Sequence, residues 1–232
     1  DEEANKFLSD RFIEGECPHC GYAEARGDQC DKCSKLLNPN ELKNPKSKLT
    51  GTKPILKKTK HLYISLDKLQ PKVEMLLKEK GKNWSDNART ITNAWLNEGE
   101  GLRARAITRD LEWGIKVPLK NFEKKVFYVW FDAPIGYIAI TKEHVKDWKH
   151  WWKPENKEDV KLIQFMGKDN VPFHTVLFPA SLIGADDNYK IVDVVNANEY
   201  LNYEDSKFSK SRGIGVFGDN AKETGIPADV WR

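Results

Sequence analysis

The chain of 232 residues is 39% hydrophobic and 31% charged, which excludes wholesale disorder and leaves enough length to enclose a hydrophobic core. No apolar run approaches the roughly 20 residues needed to cross a bilayer, and the charged start, Asp1 to Asp10, resembles neither a secretory signal nor a transit peptide, so a cytoplasmic protein with no membrane segment is expected. A net charge of +3 is too small to argue by itself for a nucleic-acid partner.

Residues 1–60 read as a first unit, poor in aliphatic clusters and rich in Cys, Gly, Pro, Asn and Lys. All four cysteines fall here, as Cys17-Pro18-His19-Cys20 and Cys30-Asp31-Lys32-Cys33. Two facing CxxC knuckles turn four thiolates toward one point, an arrangement that suits one tetrahedral Zn²⁺. Two disulfides or a redox pair fit two matched knuckles less well. Four protein ligands leave no position open for water, so the metal is expected to hold the fold and not to catalyse. Gly21 and Gly27 are expected to supply the backbone freedom of the turns around the sulfurs. From Lys43 to Lys60 come seven lysines and two prolines, read as a solvated connection.

His61 to Leu66 alternates like a strand, and Leu69, Val73, Leu76 and Leu77 then recur at helical spacing. A second helix is predicted over Asn87 to Asn97, with Ala88, Ile91, Ala94 and Trp95 on its apolar face and Gly99 and Gly101 beyond its end.

Ala106 to Thr108 is a short strand candidate. The apolar run Lys125 to Phe131 is predicted to be a central parallel strand covered on both faces. Val160 to Met166 and Ile191 to Ala197 are further strands, with a buried helix over Phe173 to Ile183 between them. Strand, helix, strand at this spacing gives an α/β domain with a parallel sheet.

Trp130, Ala133, Pro134, Tyr137 and Phe173 would place aromatic and small apolar walls near strand ends, where open α/β sheets bind ligands. Such walls suit a polarisable thioether. His174 and Tyr137 can add a polar contact, and Asp169 could meet an ammonium group. Taken singly, Trp130 and Phe173 read better as plain core, and Asp169 as a helix N-cap. Lys207-Phe208-Ser209-Lys210-Ser211, followed by Arg212-Gly213, sets three cations among hydroxyls in one loop, where mobile charges can reach a polyphosphate.

That loop resembles the Lys-Met-Ser-Lys-Ser signature of class I aminoacyl-tRNA synthetases, with Phe208 in the Met position. Trp130-Phe131-Asp132-Ala133-Pro134-Ile135-Gly136-Tyr137, Gly167-Lys168-Asp169-Asn170-Val171-Pro172-Phe173-His174 and Ile107-Thr108-Arg109-Asp110 resemble signatures of the methionyl-tRNA synthetases, most closely the eukaryotic cytosolic and archaeal branch. Both CxxC pairs resemble the zinc knuckle of that family's connective insertion.

The resemblance implies the second half of a Rossmann-like nucleotide-binding fold with a parallel sheet, plus a small zinc-knuckle insertion. It divides the chain into the insertion (1–60), a helical return to the core (61–105), the half-fold (106–198), and the signature loop with the start of a linker (199–232). It implies ATP-dependent activation of methionine and transfer to tRNA(Met), with Mg²⁺ on the ATP. Lys210 and Lys207 would be catalytic and would bind ATP together with Gly167. Trp130, Ala133, Pro134, Tyr137, Asp169, Phe173 and His174 would bind methionine. Cys17, Cys20, Cys30 and Cys33 would hold one zinc, a second knuckle being replaced at Ser47 and Thr50. Arg109 is a weaker catalytic candidate. The family's His-Ile-Gly-His signature is absent and no anticodon-binding domain follows Arg232, so this segment alone is expected to be inactive. A rival reading is a zinc-ribbon module, derived from a synthetase, that docks RNA or protein through Lys43 to Lys60 without catalysis.

Overall fold

The computed structural model describes the whole chain except residues 28, 29, 31, 34, 36, 100, 204, 205, 209–212 and 232, with only the backbone of 206 and 207. Its first layer is a three-stranded antiparallel sheet, β2-β1-β3, made of β1 (Ile13–Glu16), β2 (Ala25–Arg26) and β3 (Lys43–Ser47). Leu37, Leu42, Ala25 and the Cys17 and Cys30 side chains form a core too small to hold a module by burial alone.

A β-ladder of only two residues per strand, β4 (Tyr63–Ile64) with β5 (Arg105–Ala106), brackets two helices, α1 (Leu66–Lys80) and α2 (Asp86–Asn97). Helix α1 buries Leu66, Val73 and Leu76. Helix α2 buries Ala88, Thr92, Trp95 and Leu96, so its inner face is turned from the predicted one and Ala94 is exposed. The reason is polar: the Thr92 hydroxyl donates to Thr175 Oγ1 at 2.8 Å and also lies 2.7 Å from the Ala88 carbonyl, so a buried threonine is satisfied where an alanine was expected.

The run predicted as a central parallel strand is something else. Only Val126–Phe127 (β7) is extended, and it pairs antiparallel with β6 (Thr108–Arg109). The chain then turns into a four-residue helix, α3 (Val129–Asp132), followed by α4 (Ile135–His144) and α5 (Trp148–Trp152). Val126 is buried and Val129 exposed, so the run is not covered on both faces.

The βαβ reading holds. Strands β8 (Ile163–Gly167) and β9 (Val194–Asn198) pair in parallel, from Ile163 opposite Val194 to Gly167 opposite Asn198. Between them lie a wide turn, Phe173–Leu177, closed by the Phe178 N–H on the Phe173 carbonyl, and α6 (Phe178–Ala185). Pro179 has no N–H to offer a tighter turn, and wide turns of this kind recur at functional sites. The starts of the two strands are tied by buried Asp193, which accepts from the Leu162 N–H and from the Lys190 and Lys80 ammoniums. Val171, Val192, Val195 and Ala197 pack with Leu76, Trp84 and Ala88, which seats α1 and α2 on the sheet. A short hairpin, β10 (Asn202–Tyr203) with β11 (Ser206–Lys207), and a final turn, α7 (Ala228–Trp231), complete the described elements. Among the described residues no helix is long and apolar enough to cross a membrane.

Candidate functional site

In the first unit the four cysteines converge. Their sulfurs lie within 4.8 Å of one another, with Cys17 Sγ 3.9 Å from Cys33 and Cys20 Sγ 3.6 Å from Cys30. Tetrahedral corners around an ion with sulfur bonds of about 2.3 Å are roughly 3.8 Å apart, so the donor set fits one metal ion. Burial pushes the Cys30 thiol up to about 12; burial also acts to raise the Cys17 thiol, but hydrogen bonds from the His19 and Cys20 backbone and from the Cys20 and Cys30 side chains together bring it to about 7. Four such thiols cannot all ionise together without a cation among them. Gly21 takes a positive φ in the turn after the first pair. Gly27 acts differently from the expectation: a Cβ there would meet Pro39 Cγ at 3.0 Å and the Asp10 carbonyl at 3.2 Å, so it permits close packing.

A narrow cleft separates the first unit from the α/β part, with Asp10 and Pro39 on one side and Arg109, Tyr128, Trp130 and Phe173 on the other. Trp130 and Phe173 stack with ring centroids 4.1 Å apart and planes 11° from parallel, and Trp95 meets Phe173 edge-on at 6.5 Å. Behind them the Asn170 carbonyl, which can only accept, lies 2.8 Å from His174 Nδ1. That nitrogen therefore carries the proton, and Nε2 accepts from the Tyr137 hydroxyl at 3.0 Å. Burial lowers the His174 pKa, in keeping with a neutral ring.

Of the predicted pocket residues, Trp130 thus meets Phe173 and Tyr137 meets His174, and only the first pair lines the cleft. Ala133 is exposed and Pro134 buried at the start of α4. Gly167 ends β8, and exposed Asp169 follows it in the turn Lys168–Asn170, its Oδ1 pressed so close to Gly167 that a Cβ there would lie 2.9 Å away. Asp169 lines a separate groove with Lys168, Glu199 and Asn87 at the carboxyl ends of β8 and β9. Lys210 lies outside the described residues, and of Lys207 only the strand position is described. Phe208, between them, packs edge-on against Tyr203 and Phe217 at 5.8 and 5.5 Å and closes over Gly215.

Sequence reasoning missed the polar frame around Arg109. Its guanidinium lies 3.6 Å over the Tyr128 ring, donates to the Ala106 and Thr108 carbonyls, and pairs with Asp10 of the first unit at 3.2 Å. Next to it, Asp110 accepts from the Lys125 ammonium and, at 2.9 Å, from the Thr59 hydroxyl, with His61 Nε2 3.6 Å away. Only the Ile-Thr-Arg-Asp order marked this place in the sequence.

A family model described as tRNA synthetases class I (M) matches residues 1–232. The chain is 59% identical over 234 residues to the probable cytoplasmic methionine–tRNA ligase of Dictyostelium discoideum and 57% identical over 233 residues to the cytoplasmic methionine–tRNA ligase of Homo sapiens. A methionine–tRNA ligase of Borreliella burgdorferi (strain ZS7) is 57% identical over 228 residues. These alignments take in 100%, 100% and 97% of this chain but only 31%, 25% and 30% of the relatives, so the chain spans less than a third of their length. The methionyl-tRNA synthetase of Mycobacterium tuberculosis bound by methionyl-adenylate superposes with a TM-score of 0.60 at 23% identity, over 78% of this chain and 34% of that one, a likeness of fold. With the match running over its whole length, the chain belongs to the class I tRNA synthetases (M).

Proposed function

We propose that this chain is the methionine-binding and phosphate-handling part of a cytoplasmic methionine–tRNA ligase, which joins methionine to ATP and passes the methionyl group to the 3′ end of tRNA(Met). The observation that carries this reading is the stacked Trp130–Phe173 pair beside the Tyr137–His174 hydrogen bond. Aromatic faces attract a thioether, and a neutral imidazole with a fixed tautomer adds one directional polar group without a charge. Names of the relatives and the adenylate bound by the Mycobacterium enzyme support the same reaction.

The methionine carboxylate attacks the α-phosphate of ATP in line, a carboxyl–phosphate bond forms, and the bond to pyrophosphate breaks. No covalent enzyme intermediate is needed, so the residues position groups and stabilise charge, with Mg²⁺ carried on ATP. Lys210 and Lys207 neutralise the phosphates and Gly167 lets the nucleotide approach the end of β8, while Asp169 lines the separate groove and not the aromatic cleft. Cys17, Cys20, Cys30 and Cys33 hold one Zn²⁺, which supplies the first unit with the cohesion its small core lacks. The division into 1–60, 61–105, 106–198 and 199–232 belongs to this reading.

The test is methionine-dependent exchange of pyrophosphate into ATP by the full-length enzyme that contains these residues. Exchange should require methionine; exchange driven equally well by leucine, or none at all, overturns the reading.

A further inference from the structure

We propose that the segment from Lys53 to Lys60 is a docking strap for the phosphate backbone of the tRNA substrate, leading its 3′ end toward the cleft; the inference rests on the reading of the chain as part of a tRNA ligase. Between Lys43 and Lys60 there are seven lysines and no acidic residue, whereas the whole chain holds 38 basic and 35 acidic ones. The positive charge of this protein is therefore concentrated here, and the remainder is net negative. Among the described residues, Lys43 and Lys48 meet Glu16 and Glu14, at 3.9 and 3.1 Å. Lys53, Lys57, Lys58 and Lys60 are exposed and form no ion pair among the described residues. Asp1 and Glu2 line the hollow beside Lys57, yet neither reaches a lysine as an ion pair.

Position separates this run from an ordinary solvated turn. Residues 53–62 form neither helix nor strand, but the segment is fastened at both ends. At its start a turn closes through the Gly51 N–H on the Ser47 carbonyl and the Ser47 N–H on the Thr52 carbonyl. At its end Thr59 is held by Asp110 and Lys125, and His61 by Thr108. Asp110 follows Arg109, a wall of the cleft, so the far end of the strap is anchored one residue away from the cleft lining. Eight extended residues reach up to roughly 25 Å, comparable to about seven nucleotide steps at 3.4 Å of rise. Exposed ammonium groups along a segment fastened at both ends fit a polyanion that must end in the cleft, and such contacts position a nucleic acid without reading its sequence.

The test uses the full-length enzyme with Lys53, Lys57, Lys58 and Lys60 all changed to Gln, a second variant with all four changed to Arg, and tRNA(Met) as the probe. Binding is followed by fluorescence anisotropy across salt concentrations, beside methionine-dependent pyrophosphate exchange without tRNA. The Gln variant should bind tRNA at least about ten-fold more weakly at low salt, with a salt slope shallower by about 3, while exchange is unchanged and the Arg variant binds like the parent. Parental affinity and slope in the Gln variant, with exchange intact, overturn the strap and leave the ligase reading standing. A parent enzyme without methionine-dependent exchange overturns that reading and the strap with it.

Discussion

Trp130 lies flat on Phe173, with centroids 4.1 Å apart, although one comes from the short helix after β7 and the other from the wide turn after β8. Each ring thus fixes the other, and both face the same cleft. Changing Trp130 or Phe173 to Ala removes a large aromatic surface and the partner's support, which should weaken methionine binding in the full-length enzyme by about 2–4 kcal/mol. Calorimetric titration with methionine checks this. Unchanged affinity in either variant refutes the assignment of this pair to the substrate pocket.

What was legible in the sequence depended on how far apart the interacting residues lie. The CxxC spacing announced the thiol cluster because each knuckle is local, and the alternation of apolar runs announced β8, α6 and β9. Lys125 to Phe131 misled because an apolar run does not say what covers it: Tyr128 turned out to face the Arg109 guanidinium, and Trp130 the Phe173 ring. Asp10 with Arg109, and Thr59 with Asp110 and Lys125, are contacts between distant segments. Nothing in spacing or periodicity encodes them, so the frame of the cleft emerged only in three dimensions.

Lys210 and the aromatic pair should fail in different ways. Lys210→Ala removes a charge needed where negative charge builds on phosphate, so adenylate formation should slow while methionine affinity holds. Single-turnover kinetics over methionine and ATP concentrations separate the two effects. A pure loss of methionine affinity would refute the role given to the loop.

The anchor of that loop makes a further case. Gly215 has a φ of +120°, and a Cβ there would lie 2.4 Å from the Phe208 ring. Gly215→Ala must therefore displace Phe208 from Tyr203 and Phe217, and should lower turnover more than methionine affinity. Normal turnover in this variant would show that the seat of Phe208 does not set the loop.

Chelation should undo the first unit selectively. Its core of Leu37, Leu42 and Ala25 with the buried cysteines is small, whereas α1, α2 and the β8–β9 sheet share two larger clusters. Removing the metal, or changing Cys30 to Ala, should raise amide exchange across β1, β2 and β3 and leave β8 and β9 protected. Metal analysis should return one zinc per chain. Uniform loss of protection, or none, contradicts a structural metal confined to this unit.

Stability should fall on the acid side of neutrality, and the sign follows from two histidines. Burial lowers the pKa of His174; for His61, burial comes first and the Lys125 charge adds to it against the opposing pull of Asp110. Above pH 6.5 both rings are neutral whether the chain is folded or not, so neither makes stability depend on pH. As pH falls below 6.5 the unfolded chain takes up protons that the folded chain refuses, and stability declines until the lowered folded values are passed. His174 alone can contribute a slope of at most about 1.4 kcal/mol per pH unit. Protonating it also gives Nε2 a hydrogen, so it no longer accepts from the Tyr137 hydroxyl and the pocket loses its fixed polar group. Asp193 extends the decline further into acid, because its carboxyl is held below the usual range: burial opposes this, but the Leu162 N–H and the ammoniums of Lys190 and Lys80 outweigh it. Urea unfolding from pH 8 to pH 4 should show a plateau, then a fall beginning near pH 6.5, with methionine affinity dropping alongside. His174→Asn should start from a lower plateau, having lost the Tyr137 contact, and should fall less steeply between pH 6.5 and 5. An unaltered slope in that variant would place the acid sensitivity elsewhere.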